Sequence, residues 1–268
     1  MKLTDVVVAS DMNPLYSDFI PIFCRAWKAI FPDIVLHVIL ISDKIPDHLE
    51  QYREHIVLFP PLKGIKNGFI AQFIRLLYPA ICKGAKGGIL TTDIDMIPLY
   101  DEYYTKYIEG IEDNRFIVYR KPFVWQNKQQ YPICYNVAHS ETWGEIFKIS
   151  SKGDIVKRLK MEYAKISYHG NPGASGWFTD QAVLHDELMS WYSKRPHIII
   201  LGDGMTKFQR LDRIFKPKMI PKLVEHISSH FYCDYHMLRP YKDHKEVNDA
   251  ICDLLEEIYG FKLGTIHK

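Results

Sequence analysis

The 268-residue sequence is short of cysteine and has no long apolar run, and each shortage excludes something. The 5 cysteines, Cys24, Cys82, Cys134, Cys233 and Cys252, are scattered, odd in number and free of any Cys-x-x-Cys pair. That argues against a disulfide framework and a cysteine zinc cluster, and it fits a reducing, cytoplasmic setting. No stretch of about 18 apolar residues occurs, so no membrane span is expected. Asp5 comes too early for the apolar core of a signal peptide, so no secretory leader or type II membrane anchor is expected. Net charge is only +2 and no dense basic stripe stands out, which gives no reason to expect a nucleic-acid partner. The slight excess of Lys and Arg still leaves room for a phosphorylated substrate. Repeats, low-complexity tracts and linkers are absent, so residues 1–268 read as one domain.

What is present is a 47% apolar chain, enough to fill the core of one large α/β domain. Leu3 to Ala9 and Ile34 to Ile41 are Val- and Ile-rich runs of the kind found in strands buried on both faces. Between them, Phe19, Ile22, Phe23, Ala26, Trp27 and Ile30 recur at helical spacing, and Pro32 and Asp33 stop the helix. A short helix over Asp47 to Glu54 and a short strand over Ile56 to Phe59 follow. Phe69, Ile70, Phe73, Ile74 and Leu77 mark a further amphipathic helix, with Gly84, Gly87 and Gly88 read as its end. Ile89 to Thr92 is the next strand. This alternation predicts a mostly parallel central sheet with helices on both faces.

The second half is less regular. Strands are expected over Phe116 to Tyr119, Ile133 to Ala138 and His197 to Leu201. Helices are expected after a Ser140 cap, over Asp154 to Tyr163, over Thr179 to Ser190, and through Val247, Ile251, Leu254, Leu255 and Ile258. The division is then an alternating strand–helix half over 1–100, a less regular half over 101–243, and a C-terminal helix over 244–268.

The most informative stretch is Gly88-Ile-Leu-Thr-Thr-Asp93-Ile-Asp95-Met-Ile-Pro98. In an extended segment residues i and i+2 point the same way, so Asp93 and Asp95 can converge on one hard cation while Ile94 faces the core. Carboxylates suit Mg²⁺ or Mn²⁺. The pair also falls where open α/β sheets bind ligands, at the carboxyl end of a strand. A solvated turn after a strand is the plainer alternative.

Strand, Asp-x-Asp, apolar residues and Pro together resemble the metal-binding motif of GT-A glycosyltransferases, the family of glycogenin and bacterial galactosyltransferases. Ala71-Gln72-Phe73-Ile74-Arg75 is similar to the preceding helix, in which a basic residue faces the nucleotide. Val6 to Asp11 and Tyr16 resemble the first strand and loop, which hold base and ribose. The whole chain looks like the small stand-alone glycosyltransferases of large algal viruses. The resemblance implies a GT-A fold and transfer of a sugar from a nucleotide-sugar donor to a carbohydrate or glycoconjugate acceptor. It implies a UDP-sugar before a GDP-sugar, a Mn²⁺ or Mg²⁺ ion, and retention of anomeric configuration. The implied donor contacts are Ala9, Asp11, Tyr16, Gln72, Arg75, Asp93 and Arg239. The implied metal ligands are Asp93, Asp95 and His236, and the implied catalytic residues are Asp180 and Asn136.

Each of these has a plainer reading beside it. Arg75 can be a solvated helical charge, Asp11 a helix starter, and Tyr16 an ordinary packing residue. Asn171-Pro-Gly173-Ala-Ser175-Gly176-Trp177-Phe178-Thr179-Asp180-Gln181 resembles the family's late Asp-Gln pair, with Trp177 as a platform for a sugar face. Thr179 and Asp180 can equally serve as caps at a helix start. Tyr135-Asn136-Val137-Ala138 is similar to the family's Asn-bearing strand beside the donor sugar. His236-Met-Leu-Arg239-Pro240-Tyr241 resembles the C-terminal segment that supplies a His to the metal and a basic residue to the diphosphate. The family has a longer spacer there and Lys-Pro-Trp, which leaves His226 and His230 in play. Cys233, His236 and Leu238 can instead pack the final helix onto the sheet. Two rivals share the scaffold. A sugar nucleotidyltransferase needs a glycine-rich phosphate loop, and Ser10 to Tyr16 contains no glycine. The other is a non-catalytic nucleotide-sugar-binding protein.

Overall fold

The computed structural model describes residues 1–193, 197–202, 207–213 and 225–260. Its frame is a seven-stranded sheet built from β1 (Leu3–Asp11), β2 (Val35–Ile41), β3 (Ile56–Phe59), β4 (Gly88–Thr91), β6 (Phe116–Val118), β9 (Asn136–Ala138) and β10 (Ile198–Ile200). The order across the sheet is β10-β6-β9-β4-β1-β2-β3. Every neighbouring pair is parallel except those made by β9, which runs against both β4 and β6. This is the mostly parallel α/β sheet that the alternating pattern predicts.

Both faces are apolar because side chains alternate along each strand. Val6 and Val8 of β1 enter one core with Leu36, Val38 and Leu40 of β2. Val7 and Ala9 enter the other with Ile39 and Ile41. The first core is covered by α2 (Ile20–Ile30) and, at its far end, by α8 (Lys245–Tyr259). The second is covered by α3 (Asn67–Leu77), α5 (Ser140–Phe147), α6 (Lys152–Tyr163) and α7 (Thr179–Tyr192). Cys24, Cys82, Cys134 and Cys233 are buried and free; the side chains of Cys252 and Leu255 lie outside those described.

Three local expectations need correcting. The helix carrying Arg75 stops at Leu77, and a 3₁₀ turn over Tyr78–Ile81 with Pro79 inside it follows. Proline has no N–H to continue the ladder, so the glycines are not what ends it. Gly87 and Gly88 serve close approach instead. A Cβ on Gly87 would lie 2.3 Å from the Lys2 carbonyl, and the Gly88 N–H donates to that carbonyl at 2.7 Å. Ser140 does not cap α5: His139 holds the cap position, and Ser140 Oγ donates to Glu141 at 3.2 Å. The stretch from Ile133 is a strand only from Asn136 onward.

A second, three-stranded sheet has the order β11 (Gln209–Leu211), β12 (Tyr232–His236) and β5 (Met96–Pro98). β12 is parallel to β11 and antiparallel to β5, with His236 opposite Met96 and Tyr235 opposite Leu211. A two-stranded hairpin, β7 (Phe123–Trp125) and β8 (Lys128–Gln130), stands apart from both sheets. Among the described residues no helix is long and apolar enough to cross a membrane.

Candidate active site

β1, β4 and β6 run parallel, so their carboxyl ends share one edge of the sheet. There they open a cleft of about 860 Å³. Ala9 and Asp11 reach it from β1, Asp93 and Asp95 from beyond β4, and Asp180 from the first turn of α7. Tyr16, Gln72, Arg75, His236 and Arg239 are also on its walls, which leaves Asn136 as the one expected residue that is not.

Asp93 and Asp95 do not sit in an extended segment. The Met96 N–H donates to the Asp93 carbonyl at 3.2 Å, so residues 93–96 form a turn that joins β4 to β5. The turn still sends both carboxylates into the cleft, with Ile94 buried between them.

On the inner side of the cleft stands Arg75, only 7% exposed, which removes the reading of a solvated helical charge. Its Nη1 pairs with Asp93 and donates to the Thr92 carbonyl at 3.2 Å. Its Nη2 bonds Asp180 Oδ2 at 3.0 Å, and its Nε donates to the Gln72 carbonyl at 3.2 Å. One guanidinium therefore ties the Asp-Ile-Asp turn to the start of α7. Burial pushes the Asp93 carboxyl up, and Arg75 more than offsets this, so it ends below the ordinary range. Asp180 is 3% exposed, and burial raises its carboxyl to about 6 against the opposing pull of Arg75. Asp180 Oδ1 accepts the Gln181 N–H at 2.9 Å, whereas Thr179 Oγ1 donates to the Gly176 carbonyl at 2.7 Å and caps nothing. The helix-start reading thus holds in part, through Asp180 alone, and the same side chain stands on the cleft wall.

On the outer side, the second sheet gathers cations around Asp95. The His236–Met96 register puts the end of β12 beside the Asp95 turn, and the Met237 N–H donates to the Asp95 carbonyl at 2.9 Å. Arg213 pairs with Asp95 Oδ2, Arg239 Nε lies 3.2 Å from it, and His236 Nε2 lies 3.4 Å from it. Burial raises the Asp95 carboxyl, but His236, then Arg213 and Arg239, hold it well below the ordinary range. Asp212 Oδ1 sits 3.1 Å from His236 Nδ1. A carboxylate on Nδ1 with Nε2 aimed at a second carboxylate is how a metal-binding imidazole is oriented. Neighbouring ligands of an octahedral ion lie about 3 Å apart. In chemistry and placement the Asp95–His236 pair fits a divalent cation. Among the described residues, however, no group of three or more His, Cys, Asp or Glu side chains is already gathered for a metal.

The segment around His236 packs against the final helix and also reaches the cleft wall. Tyr235 Oη donates to Asn248 Oδ1 of α8 at 2.8 Å, and Asn248 Nδ2 donates to the Leu238 carbonyl at 2.9 Å. Those residues pack the final helix while His236 and Arg239 face the cleft. His226 and His230 do not reach it: His226 packs on Phe231 and Tyr232, and His230 on Tyr100.

The remaining expected residues divide. Asn13, not Asp11, caps the short helix α1 (Pro14–Ser17), accepting the Leu15 N–H at 3.0 Å. Asp11 accepts the Asn13 N–H at 3.0 Å and keeps a place on the cleft wall. Tyr16 packs its ring under Arg239, whose guanidinium carbon lies 4.9 Å from the ring centre, and its hydroxyl accepts from Arg239 Nη1. Gln72 is held by Tyr168 Oη at 2.6 Å and by the Trp177 carbonyl at 3.4 Å. Asn136 departs from expectation: it is fully buried and off the cleft wall. Its Nδ2 donates to the Pro132 and Ile133 carbonyls at 2.9 and 2.8 Å, bracing the turn before β9.

Sequence reading missed Tyr168, Arg210, Asp212 and Arg213. Arg210 reaches the cleft from β11 because fully buried Asp234 accepts its Nε at 3.0 and 2.9 Å. Tyr135 Oη supports the same Asp234 carboxylate at 2.6 Å. The one local signal was an Asp inside the apolar run Tyr232-Cys-Asp-Tyr-His236, since a buried carboxylate requires a cationic partner.

The sequence matches no protein-family model and no curated protein. In fold the chain is similar to several solved glycosyltransferases. Galactosyltransferase LgtC, solved with donor and acceptor sugar analogs, is 14% identical; the match covers 96% of this chain and 95% of that one, with a TM-score of 0.49. Glycosyltransferase GlyE of Streptococcus pneumoniae TIGR4 is 16% identical over 89% of this chain and 55% of that one, with a TM-score of 0.47. A glycosyltransferase involved in glycosylation of the major capsid of PBCV-1 is 10% identical over 91% of this chain and 99% of that one, with a TM-score of 0.45.

Proposed function

We propose that the chain is a glycosyltransferase that moves a sugar from a nucleotide-sugar donor, a UDP-sugar before a GDP-sugar, to an acceptor hydroxyl. The transfer depends on Mn²⁺ or Mg²⁺ and retains anomeric configuration. The observation that carries this reading is the buried Arg75, which fixes a metal-type carboxylate, Asp93, and a second carboxylate, Asp180, on one cleft. An isolated sugar- or nucleotide-binding site has no need of two carboxylates locked to one cation.

Asp93, Asp95 and His236 would hold the ion, which supplies Lewis-acid neutralisation of the departing diphosphate. Arg213 and Arg239, now on Asp95, are guanidiniums able to move onto phosphate oxygens, which they match as two-pronged donors. Ala9, Asp11 and Tyr16 border the nucleoside. Asp180, kept ionised and aimed by Arg75, faces the anomeric carbon and stabilises the positive charge that develops there.

The test is a panel of labelled nucleotide sugars, read by thermal shift and by turnover with and without Mn²⁺. A donor that binds only the folded chain raises its stability by roughly 2.7 kcal/mol at 100 times its dissociation constant. Asp95→Asn is expected to abolish metal-dependent turnover without unfolding the protein, and NMR of the product is expected to show a retained anomer. Full turnover in excess chelator overturns the metal requirement. Release of pyrophosphate rather than nucleoside diphosphate identifies a nucleotidyltransferase, and tight binding without turnover of any donor identifies a binding protein.

A further inference from the structure

The β7–β8 hairpin is not used by the chemistry above, yet it borders the same cleft. Phe123 lies on the cleft wall. Residues i and i+2 of a strand share a face, so Trp125 projects to the same side, about 7 Å farther out along the strand. Its ring centre sits 5.3 Å from that of Phe178, which lines the cleft beside Trp177. Phe123, Trp125, Trp177 and Phe178 therefore form one aromatic surface that begins in the cleft and runs out of it. Trp125 is 44% exposed. The tip turns through Gln126 and Asn127 with φ of 49° and 60°, and both are exposed; across the ladder Gln130 stands opposite Phe123 and Lys128 opposite Trp125 on the aromatic face, while Gln129 stands opposite Val124 on the other. The base of the hairpin is fixed to the catalytic helix: the Tyr131 N–H donates to the carbonyl of Gln181, the residue after Asp180, at 3.3 Å.

An isolated two-stranded hairpin gains little stability from an exposed tryptophan, and a tight turn does not need one. Aromatic faces flanked by planar amides suit a sugar. The C–H face of a pyranose packs on the ring, while amide groups donate to and accept from its hydroxyls. We infer that the β7–β8 hairpin is an acceptor subsite, in which Trp125 stacks against an outer residue of a neutral oligosaccharide whose terminal sugar lies at Asp180. The inference rests on the transferase reading for the identity of that terminal sugar, but the binding of glycan to the hairpin can be tested without it.

The probe is an array of neutral glycans graded from mono- to tetrasaccharide, read with labelled full-length protein and no nucleotide sugar. The expected result is retention that increases with glycan length. In Trp125→Ala the length preference is lost, with about tenfold weaker binding to the longest members. Trp125→Phe is expected to keep the preference, which shows that an aromatic face and not a particular side chain is required. Donor hydrolysis without acceptor is expected to be the same in all three proteins. The inference is overturned if Trp125→Ala keeps the length preference, or if the wild type retains no neutral glycan. It is also overturned if the change instead abolishes a concentration-dependent dimer in sedimentation, which would give the patch to a second copy of the chain. A failure of donor turnover with the length preference intact would overturn the transferase reading and leave the glycan subsite standing.

Discussion

The two carboxylates of the Asp-Ile-Asp turn lie two residues apart and live in different surroundings. Asp93 faces inward to Arg75, a side chain 8% exposed that also grips two backbone carbonyls and Asp180. Asp95, whose side chain is 2% exposed against 26% for Asp93, pairs with Arg213, Arg239 and His236, which come from the ends of strands and from the segment after β12. The inner contact is walled into helix α3 and cannot leave without stranding buried charge. The partners of Asp95 are 15–27% exposed on the cleft wall, so a ligand that supplies its own charge can reach them. The inner side thus sets geometry, and under the proposed function the outer side is the one to meet the nucleotide diphosphate.

Removing Arg75 is the harshest way to break this contrast. Arg75→Met leaves Asp93 and Asp180 without a cation, and breaking a buried ion pair from one side costs about 3–5 kcal/mol. Urea unfolding is expected to show a loss of that order, with donor turnover lost as well. A loss below about 1 kcal/mol would mean the inner side is as exchangeable as the outer.

Next in size is Asp180→Asn, which keeps the shape and removes the charge. Loss of one preorganised electrostatic contact costs about 10²–10³ in turnover. Donor affinity is expected to change far less, and an equal loss in both would place Asp180 on the nucleotide instead. Asp180 also predicts a pH effect. Burial raises its carboxyl to about 6, so turnover is expected to fall as pH drops below that value and the charge is neutralised. For stability the sign is opposite. A folded pKa above the unfolded one means the native chain binds the extra proton, so this group's contribution is fully present below about pH 4 and is lost as pH rises to about 6. Asp93 and Asp95, held below their ordinary range, contribute above about pH 4 and lose that contribution only in stronger acid. Asp180→Asn is expected to remove the acid limb of the rate profile and leave the acid unfolding of the other two in place.

The same contrast explains what could be read from sequence. The inner side rests on two long, strongly patterned elements, β1 and α3, while the four-residue β4 is marked by the Asp-x-Asp stretch that follows it, so Arg75 and Asp93 fall at assignable positions. The outer side is made of three- to five-residue strands, β5, β11 and β12, too short for a period to register. Arg213 meets Asp95 across 118 positions of sequence, and nothing local to Arg213 announces it. Asn136 is a different case: its amide nitrogen donates to the carbonyls of Pro132 and Ile133, a use that only the turn before β9 reveals.

On the outer side, Arg239→Ala is expected to weaken nucleoside diphosphate by about tenfold or more, since a hydrogen bond to a charged group is worth about 1.5–3 kcal/mol. Nucleoside alone should bind nearly as before. Calorimetry with the two ligands checks this, and an equal loss for both would move Arg239 away from the phosphates.

The smallest effect expected is that of Tyr16→Phe. The Tyr16 ring lies under the Arg239 guanidinium, and its hydroxyl accepts from Arg239 Nη1. Phenylalanine keeps the ring and the cation–π contact, and removes one hydrogen bond worth about 0.5–1.5 kcal/mol. If Tyr16 acts by holding Arg239 in line with the diphosphate, the change weakens nucleoside diphosphate by about two- to tenfold and leaves nucleoside unchanged. It should then have almost no further effect in an Arg239→Ala background, because the partner it positions is already gone. If Tyr16 acts instead as a platform for the base, nucleoside and nucleoside diphosphate lose equally and the double variant shows additive losses. The outer side would in that case be two independent contacts, one for the base and one for the phosphates, in place of a single coupled arm.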